Sequence, residues 1–199
     1  MTDKFTGFVL AGGKSSRMGK DKAFLKIGGE TFLERAAKKI APFGETKIVI
    51  NPNQAEKFKS LFPSFEFIFD VHTERGALGG IHAGLRECRT QLAVFLAVDL
   101  PLITNEILEK LTSEAVESKE FSAVVPIQKD GRPQPLCAVY RTSECLPAAE
   151  QLLTKKTSAS MRDFLELIKV KFVKLNDGAD IFFNVNSPPD FAAIEENKS

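Results

Sequence analysis

The stretch Leu10–Lys22, LAGGKSSRMGKDK, combines a glycine pair with the cations Lys14, Arg17, Lys20 and Lys22, opposed only by Asp21. Gly12 and Gly13 lack a Cβ, which opens positive φ to the backbone and lets its N–H groups approach a ligand closely. Consecutive exposed N–H groups form a concavity that favours anions. The ligand this chemistry calls for is polyanionic, most simply a nucleoside triphosphate. Two better-known glycine loops do not fit. A Walker A loop ending at Gly13-Lys14-Ser15 would need glycine at position 8, which is Phe8. The dinucleotide fingerprint GxGxxG has no match in this loop. Three further polar groups follow apolar runs: Asn51 after KIVI, Asp70 after FEFIF and Asp99 after LAVFLAV. Asp99 precedes Leu100-Pro101, which stops the run. A carboxylate there suits Mg²⁺, a hard ion that takes one or two carboxylates and completes its shell with phosphate oxygens and water.

These groups need strands to deliver them. FTGFVL (5–10) reads as a buried strand feeding the glycine loop. Thr31 with Glu34 forms a capping box, and Phe32, Leu33, Ala36, Ala37 and Ile40 mark one helical face. A strand at 47–51, a helix at 54–61 and a strand at 65–70 follow. Gly79-Gly80 opens a helix to about Arg89, and the run 92–99 reads as a central parallel strand, apolar on both faces. Thr104 caps a helix carrying Ile107, Leu108, Leu111 and Ala115. This βαβαβαβα order predicts a parallel sheet covered on both sides. The second half is less regular: strands at 122–127 and 135–141 around the turn 130–133, helices at 143–153 and 161–168, a strand at 170–175, and a helix start at Ser187-Pro188. The expected fold is α/β, a Rossmann-like three-layer sandwich with a mostly parallel central sheet, and residues 1–199 as a single domain. In such sheets ligands bind beyond the carboxyl ends of the strands. A polar residue at one strand end is commonly a turn former; four at one edge point to a site.

A chain of 199 residues with 43% hydrophobic content suits one soluble domain. A net charge of +1 argues against broad attraction to nucleic acid or membrane, so the basicity matters only at the loop. Cys88, Cys137 and Cys145 are widely spaced, which reads as reduced thiols in a cytoplasmic protein. MTDKFTGF lacks the apolar core of a signal peptide. The longest apolar run, 92–98, is far short of the roughly 18 residues of a membrane span.

The loop matches LxGGxSxRMGxDK, and with NPN (51–53), Asp70, GALGGIHAG (76–84), VDLPLI (98–103), GRPQPLCAVYR (131–141) and NVNSPPDF (184–191) the chain resembles the molybdenum cofactor guanylyltransferases, the MobA family, over nearly its whole length. The resemblance implies a Rossmann-like nucleotidyltransferase that moves GMP from GTP to the terminal phosphate of molybdopterin or its molybdenum form, releasing pyrophosphate. It implies that backbone at Leu10, Ala11, Gly12 and Gly13 holds the nucleotide and that Lys22 and Arg17 neutralise phosphates. It further implies that Asn51 and Asp70 line the guanosine site, that Asp99 holds Mg²⁺, and that Asn184 and Asn186 lie on the pterin side. It also implies transient contact with cofactor-delivering proteins. A carboxylate accepts from both N1–H and the N2 amine of guanine, a pairing cytosine lacks, and Asp70 is assigned this role. Lys155, Lys156 and Arg162 are candidates for the pterin phosphate. The family often has proline where this chain has Ala77.

An attacking phosphate monoester is already ionised near neutral pH, its second pKa being about 6. The expected mechanism therefore needs no general base, and catalysis reduces to alignment and charge neutralisation. Of the two histidines, His82 reads as structural and His72 sits in the loop after Asp70. The competing readings are a cytidylyltransferase on the same cofactor, a sugar-phosphate nucleotidyltransferase, a nucleotide-binding regulator without activity, and an NAD-binding domain. Gly12 favours guanylyl transfer, because cytidylyl relatives typically read LAAG there. Retention of Arg17, Lys22 and Asp99 argues against a regulator.

Overall fold

The computed structural model describes residues 5–13, 21–155, 159–175 and 181–196. Strand β1 (Phe5–Leu10) leads, beyond the glycine loop, to a small hairpin of β2 (Lys26–Ile27) and β3 (Glu30–Thr31), then to helix α1 (Phe32–Ile40). The Thr31 hydroxyl accepts from the Glu34 N–H at 3.2 Å and the Glu34 carboxylate accepts from the Thr31 N–H at 2.8 Å, so the expected capping box is present. Strand β4 (Gly44–Ile50), helix α2 (Ala55–Leu61), strand β5 (Glu66–Phe69), helix α3 (Ala77–Glu87) and strand β6 (Leu92–Ala97) complete the first half. Helix α4 (Asn105–Glu117), strands β7 (Ala123–Ile127) and β8 (Cys137–Arg141), helices α5 (Thr142–Lys155) and α6 (Met161–Leu167), strand β9 (Val170–Lys174) and helix α7 (Pro188–Glu196) form the second.

One seven-stranded sheet runs in the order β5-β4-β1-β6-β8-β7-β9. Every neighbouring pair is parallel except the two involving β8, which runs against β6 and β7. The mostly parallel α/β sandwich is thus the fold observed. Period-two alternation splits the core. Val9, Ile48 and Val94 pack on one face with α1, α2, α4 and α7, while Phe8, Val49 and Phe95 pack on the other with α3, α5 and α6. Phe8 and Phe95 stack at 5.0 Å between centroids, across paired strands.

The chain departs from the sequence expectations at several ends. Strand β4 begins at Gly44 and not near Lys47, because Gly44 takes φ +146° and enters the ladder opposite Phe5. Helix α3 begins at Ala77, two residues before the glycine pair, after Gly76 turns the chain at φ +57°. Strand β6 ends at Ala97, so Asp99 stands in the following turn. Thr104 occupies the N-cap of α4, but its side chain accepts from no backbone N–H of the first turn and bonds the Glu106 side chain instead.

Cys137 and Cys145 are fully buried and free, and burial pushes both thiols up to about 12. A thiol reagent at pH 8 should therefore modify at most Cys88 in the native chain, with two further thiols appearing only on unfolding. Modification of all three before the unfolding transition would contradict this packing. Among the described residues no helix is long and apolar enough to cross a membrane.

Candidate functional site

Strand β1 sits where the strand order reverses: β4 and β5 extend to one side and β6 to the other. Loops leaving β1 and its neighbours diverge there, which opens a crevice at their carboxyl ends. The cleft has a volume of about 380 Å³. Its walls include Leu10, Ala11, Gly12 and Gly13 from the end of β1, and Asn51 from the end of β4. Lys22, Asp70 and Asp99 line it as well. Each of these sequence-predicted nucleotide residues thus meets the others in one cavity. Arg17, with Lys14 and Lys20, lies outside the described residues, as does Lys156.

Gly12 serves for closeness, not for handedness. Neither Gly12 nor Gly13 adopts positive φ, contrary to the expectation from their type. A Cβ on Gly12 would stand 2.9 Å from the Asn51 backbone nitrogen and 3.1 Å from the Ile50 carbonyl carbon. The N–H groups of Ala11 and Gly12 both donate to the Val49 carbonyl, at 2.9 and 3.0 Å, so the loop starts pressed against the end of β4. Around Gly13 a Cβ would meet nothing within 4 Å.

Lys22 and Asp99, 77 residues apart, meet with Nζ 3.1 Å from Oδ2. The other Asp99 oxygen, Oδ1, is buried without a hydrogen-bond partner among the described residues. A buried carboxylate oxygen in that state is costly, and an oxygen-seeking cation would satisfy it. No group of three or more acidic, histidine or cysteine side chains able to hold a metal occurs among the described residues. A hard cation here would have one protein carboxylate and need ligand oxygens for the rest, which fits the ordinary coordination of Mg²⁺ beside a triphosphate.

Asn186 reaches the same point from the other end of the chain. Its Oδ1 accepts from Lys22 Nζ at 2.6 Å, and the Val185 N–H donates to the Asp99 carbonyl at 3.0 Å. Asp190 holds this segment by accepting from the Asn186 and Ser187 N–H groups at 2.9 and 2.8 Å, and the first of these bonds chiefly keeps its carboxyl below the usual range. Asn184 turns its amide onto the Phe182 carbonyl at 3.2 Å. The sequence signal for Asn186 is the NVN motif alone; its contact with Lys22, across 164 residues, is not visible in any local pattern.

Asp70 is 4% exposed, and burial pushes its carboxyl up, offset in part by the His72 N–H that donates to Oδ1 at 2.7 Å. Helix α3 comes so close that a Cβ on Gly79 would stand 2.7 Å from both Asp70 Oδ1 and the His72 carbonyl oxygen. Gly79→Ala should therefore destabilise the chain. Helix propensity favours alanine by about 1 kcal/mol, but overpacking against a fixed carbonyl costs about 1–3 kcal/mol. We expect a net fall in Tm of a few degrees, read by calorimetry. A rise in Tm would mean the 70–76 loop can retreat freely.

His82 is buried in α3, its ring 5.1 Å from that of His72, and burial holds its pKa down. Neither ring lines the cleft, in keeping with a structural reading of His82. Lys155 lines a separate shallow depression at α5 and α6, and Arg162 pairs with Glu166 at 2.9 Å on α6. The structure does not bring these two into the cleft. Sequence reasoning misses Asp21 and Glu74 in the cleft wall and Gln54 beside it.

The MobA-like NTP transferase domain matches residues 7–172. The chain belongs to that family. It is 32% identical over 196 residues to a protein of Natranaerobius thermophilus named probable molybdenum cofactor guanylyltransferase, covering 96% of this chain and 94% of the relative. The crystal structure of molybdopterin-guanine dinucleotide biosynthesis protein A from Archaeoglobus fulgidus superposes with a TM-score of 0.82 at 30% identity, covering 97% of this chain and 98% of that one. A 2-C-methyl-D-erythritol 4-phosphate cytidylyltransferase from Thermus thermophilus shares the fold, with a TM-score of 0.70 at 18% identity over 96% and 97% of the two chains. Membership makes this chain a nucleotidyltransferase, and the cleft is where Lys22 and Asp99 meet.

Proposed function

We propose that this chain transfers GMP from GTP to the terminal phosphate of molybdopterin, or of its molybdenum form, yielding the guanine dinucleotide and pyrophosphate. The observation that carries the reading is the meeting of Lys22, Asp99 and Asn186 beside the glycine-loop backbone, at the mouth of a nucleotide-sized cleft. The relatives' names supply the acceptor.

In this reading the acceptor phosphate oxygen attacks the α-phosphorus of GTP. One P–O bond forms as the bond to the β-phosphate oxygen breaks, and that oxygen leaves with pyrophosphate. The acceptor is ionised without help, so what the chain must do is hold two polyanions in line and offset their charge. Lys22 would offset charge on the phosphates, steadied by Asn186. Asp99 would hold Mg²⁺, which would spread the negative charge developing on the phosphate oxygens. The backbone from Leu10 to Gly13, with Asn51, would receive the nucleoside, and Asp70 would read the guanine edge. Asn184 and Asn186 would face the pterin side, and Arg17 would meet the triphosphate or the incoming phosphate. The glycine at position 12, where cytidylyl relatives typically read alanine, favours guanylyl over cytidylyl transfer, and an alanine there would press on the Asn51 backbone.

Titration calorimetry with GTP, CTP and NAD in the presence of Mg²⁺, followed by pyrophosphate release with and without molybdopterin, tests the assignment. Binding of GTP ahead of CTP, with release that depends on molybdopterin, is expected. Preference for CTP would overturn the guanylyl assignment, and tight binding of NAD alone would overturn nucleotidyl transfer.

A further inference from the structure

The elements of a nucleotide site have to agree on where the base ends and the phosphates begin. In this chain one carboxamide joins the turn after β4 to Asp21, the residue before Lys22. Gln54 closes the 3-10 turn Pro52–Gln54 that follows β4. Its Oε1 accepts from the Asn51 N–H at 3.0 Å, and its Nε2 donates to Asp21 Oδ2 at 2.7 Å. The other Asp21 oxygen accepts from the Ala23 N–H at 3.2 Å and so caps the turn Lys22–Phe24. Gly12, on the near side of the loop, is packed against the Asn51 backbone. Both flanks of the glycine-rich loop therefore converge on Asn51: one by contact, the other through Gln54.

The polarity of this bridge has no second solution. A backbone N–H only donates and a carboxylate only accepts. Turning the amide over would set donor against donor at Asn51 and acceptor against acceptor at Asp21. Ionised glutamate, the residue of the same shape, satisfies the Asn51 N–H but faces Asp21 with a second acceptor.

We propose that Gln54 is a positioning residue, whose carboxamide locks Asp21, and with it the adjoining Lys22, in register with Asn51 and so couples the nucleoside end of the cleft to its triphosphate end. This rests on the nucleotidyltransferase reading of the cleft. Gln54 itself touches no reacting atom.

Isosteric substitutions separate polarity from packing. Gln54→Glu places a carboxylate against Asp21. Asp21→Asn leaves one oxygen to serve two donors, the Ala23 N–H and the Gln54 amide. The double variant restores the bridge with its direction reversed. The amide introduced at position 21 donates to the carboxylate introduced at position 54, that carboxylate accepts from the Asn51 N–H, and the net charge of the pair is unchanged. All four proteins have side chains of the same shape, so a role in packing alone would leave them alike. Dissociation constants for Mg·GTP and Mg·CTP, and the Tm of the ligand-free chain, are measured for each. We expect each single variant to weaken binding of the preferred nucleotide about tenfold or more, as for loss of a hydrogen bond to a charged group, and to lower Tm. The double variant should return to within about threefold of the wild type and recover Tm. Single variants that bind as the wild type does overturn the proposal, even if their Tm falls, because the bridge would then be structural only. A double variant that recovers neither quantity also overturns it. A wild type that prefers Mg·CTP refutes the guanylyl reading while the four-protein pattern, read with that nucleotide, still decides the bridge. A wild type that binds neither overturns both.

Discussion

Asp99→Ala is expected to reduce pyrophosphate release about 10³-fold or more, while leaving Tm unchanged or slightly higher. Two facts about the same carboxylate give the two halves of this result. Oδ1 is buried and has no hydrogen-bond partner among the described residues, so in the ligand-free chain it carries a desolvation cost of about 1–3 kcal/mol. Removing it relieves that cost. Lys22 loses a 3.1 Å contact but keeps Asn186 at 2.6 Å and a cleft open to water. The turnover half follows from the role proposed for the oxygen. Charge developing on phosphate oxygens is offset by groups already in place, and loss of one such group commonly costs about 10²–10³-fold; loss of the proposed metal with it would take away more. Asp99→Asn sharpens the test, because it keeps the shape and one oxygen for Lys22 but removes the charge. Calorimetric melts beside steady-state release check both halves. An Asp99→Asn chain that turns over like the wild type would show that the orphaned oxygen has no metal to hold.

What the sequence made legible was whatever depends on local pattern. An apolar run followed by Gly12-Gly13 announces a strand and a loop, and LAVFLAV before Asp99 announces a buried strand with an acid just past its end. Thr31 and Glu34 lie three apart, and their reciprocal bonds form within one turn. Illegible features are those decided by partners far along the chain. The turn at 130–133 makes CAVYR antiparallel to the strand before it, but nothing local shows that β8 inserts between β6 and β7, a choice made by its neighbours. The β2–β3 hairpin has two residues on each side, too few for a period of two to register. Its Gly28-Gly29 turn, at φ +60° and +84°, was the available signal. Gly12 shows a subtler limit: glycine can be required for positive φ or for room, and the letter does not say which. Room is the reason here. Asn51 and Gln54 stand at capping-box spacing, which is a local signal, but the contact of Gln54 with Asp21 across 33 residues leaves no trace in spacing.

Lys22→Met is expected to lower kcat/KM for the nucleotide about 10²-fold, with much of the loss in KM, and to leave the chain folded. Methionine preserves the length of the stem and much of its packing but removes the charge. Lys22 stands between an acid and an amide, and Asn186 satisfies one of its protons while Asp99 takes another, so the ammonium is aimed before any ligand arrives. Such preorganisation is what makes a charge effective on a phosphate, since no rearrangement is needed as charge moves. Stability should suffer little. The pair is only partly buried, and partly exposed pairs contribute about 0–1 kcal/mol. Lys22→Arg is a stricter comparison, because a planar fork is not interchangeable with a compact ammonium. It keeps the charge but cannot occupy the space between Asp99 and Asn186 without moving one of them. Asn186→Ala should sit between the wild type and Lys22→Met: the charge survives, but its aim is loosened. If Lys22→Met binds Mg·GTP within twofold of the wild type, the ammonium is a partner of Asp99 alone and phosphate recognition belongs elsewhere in the cleft.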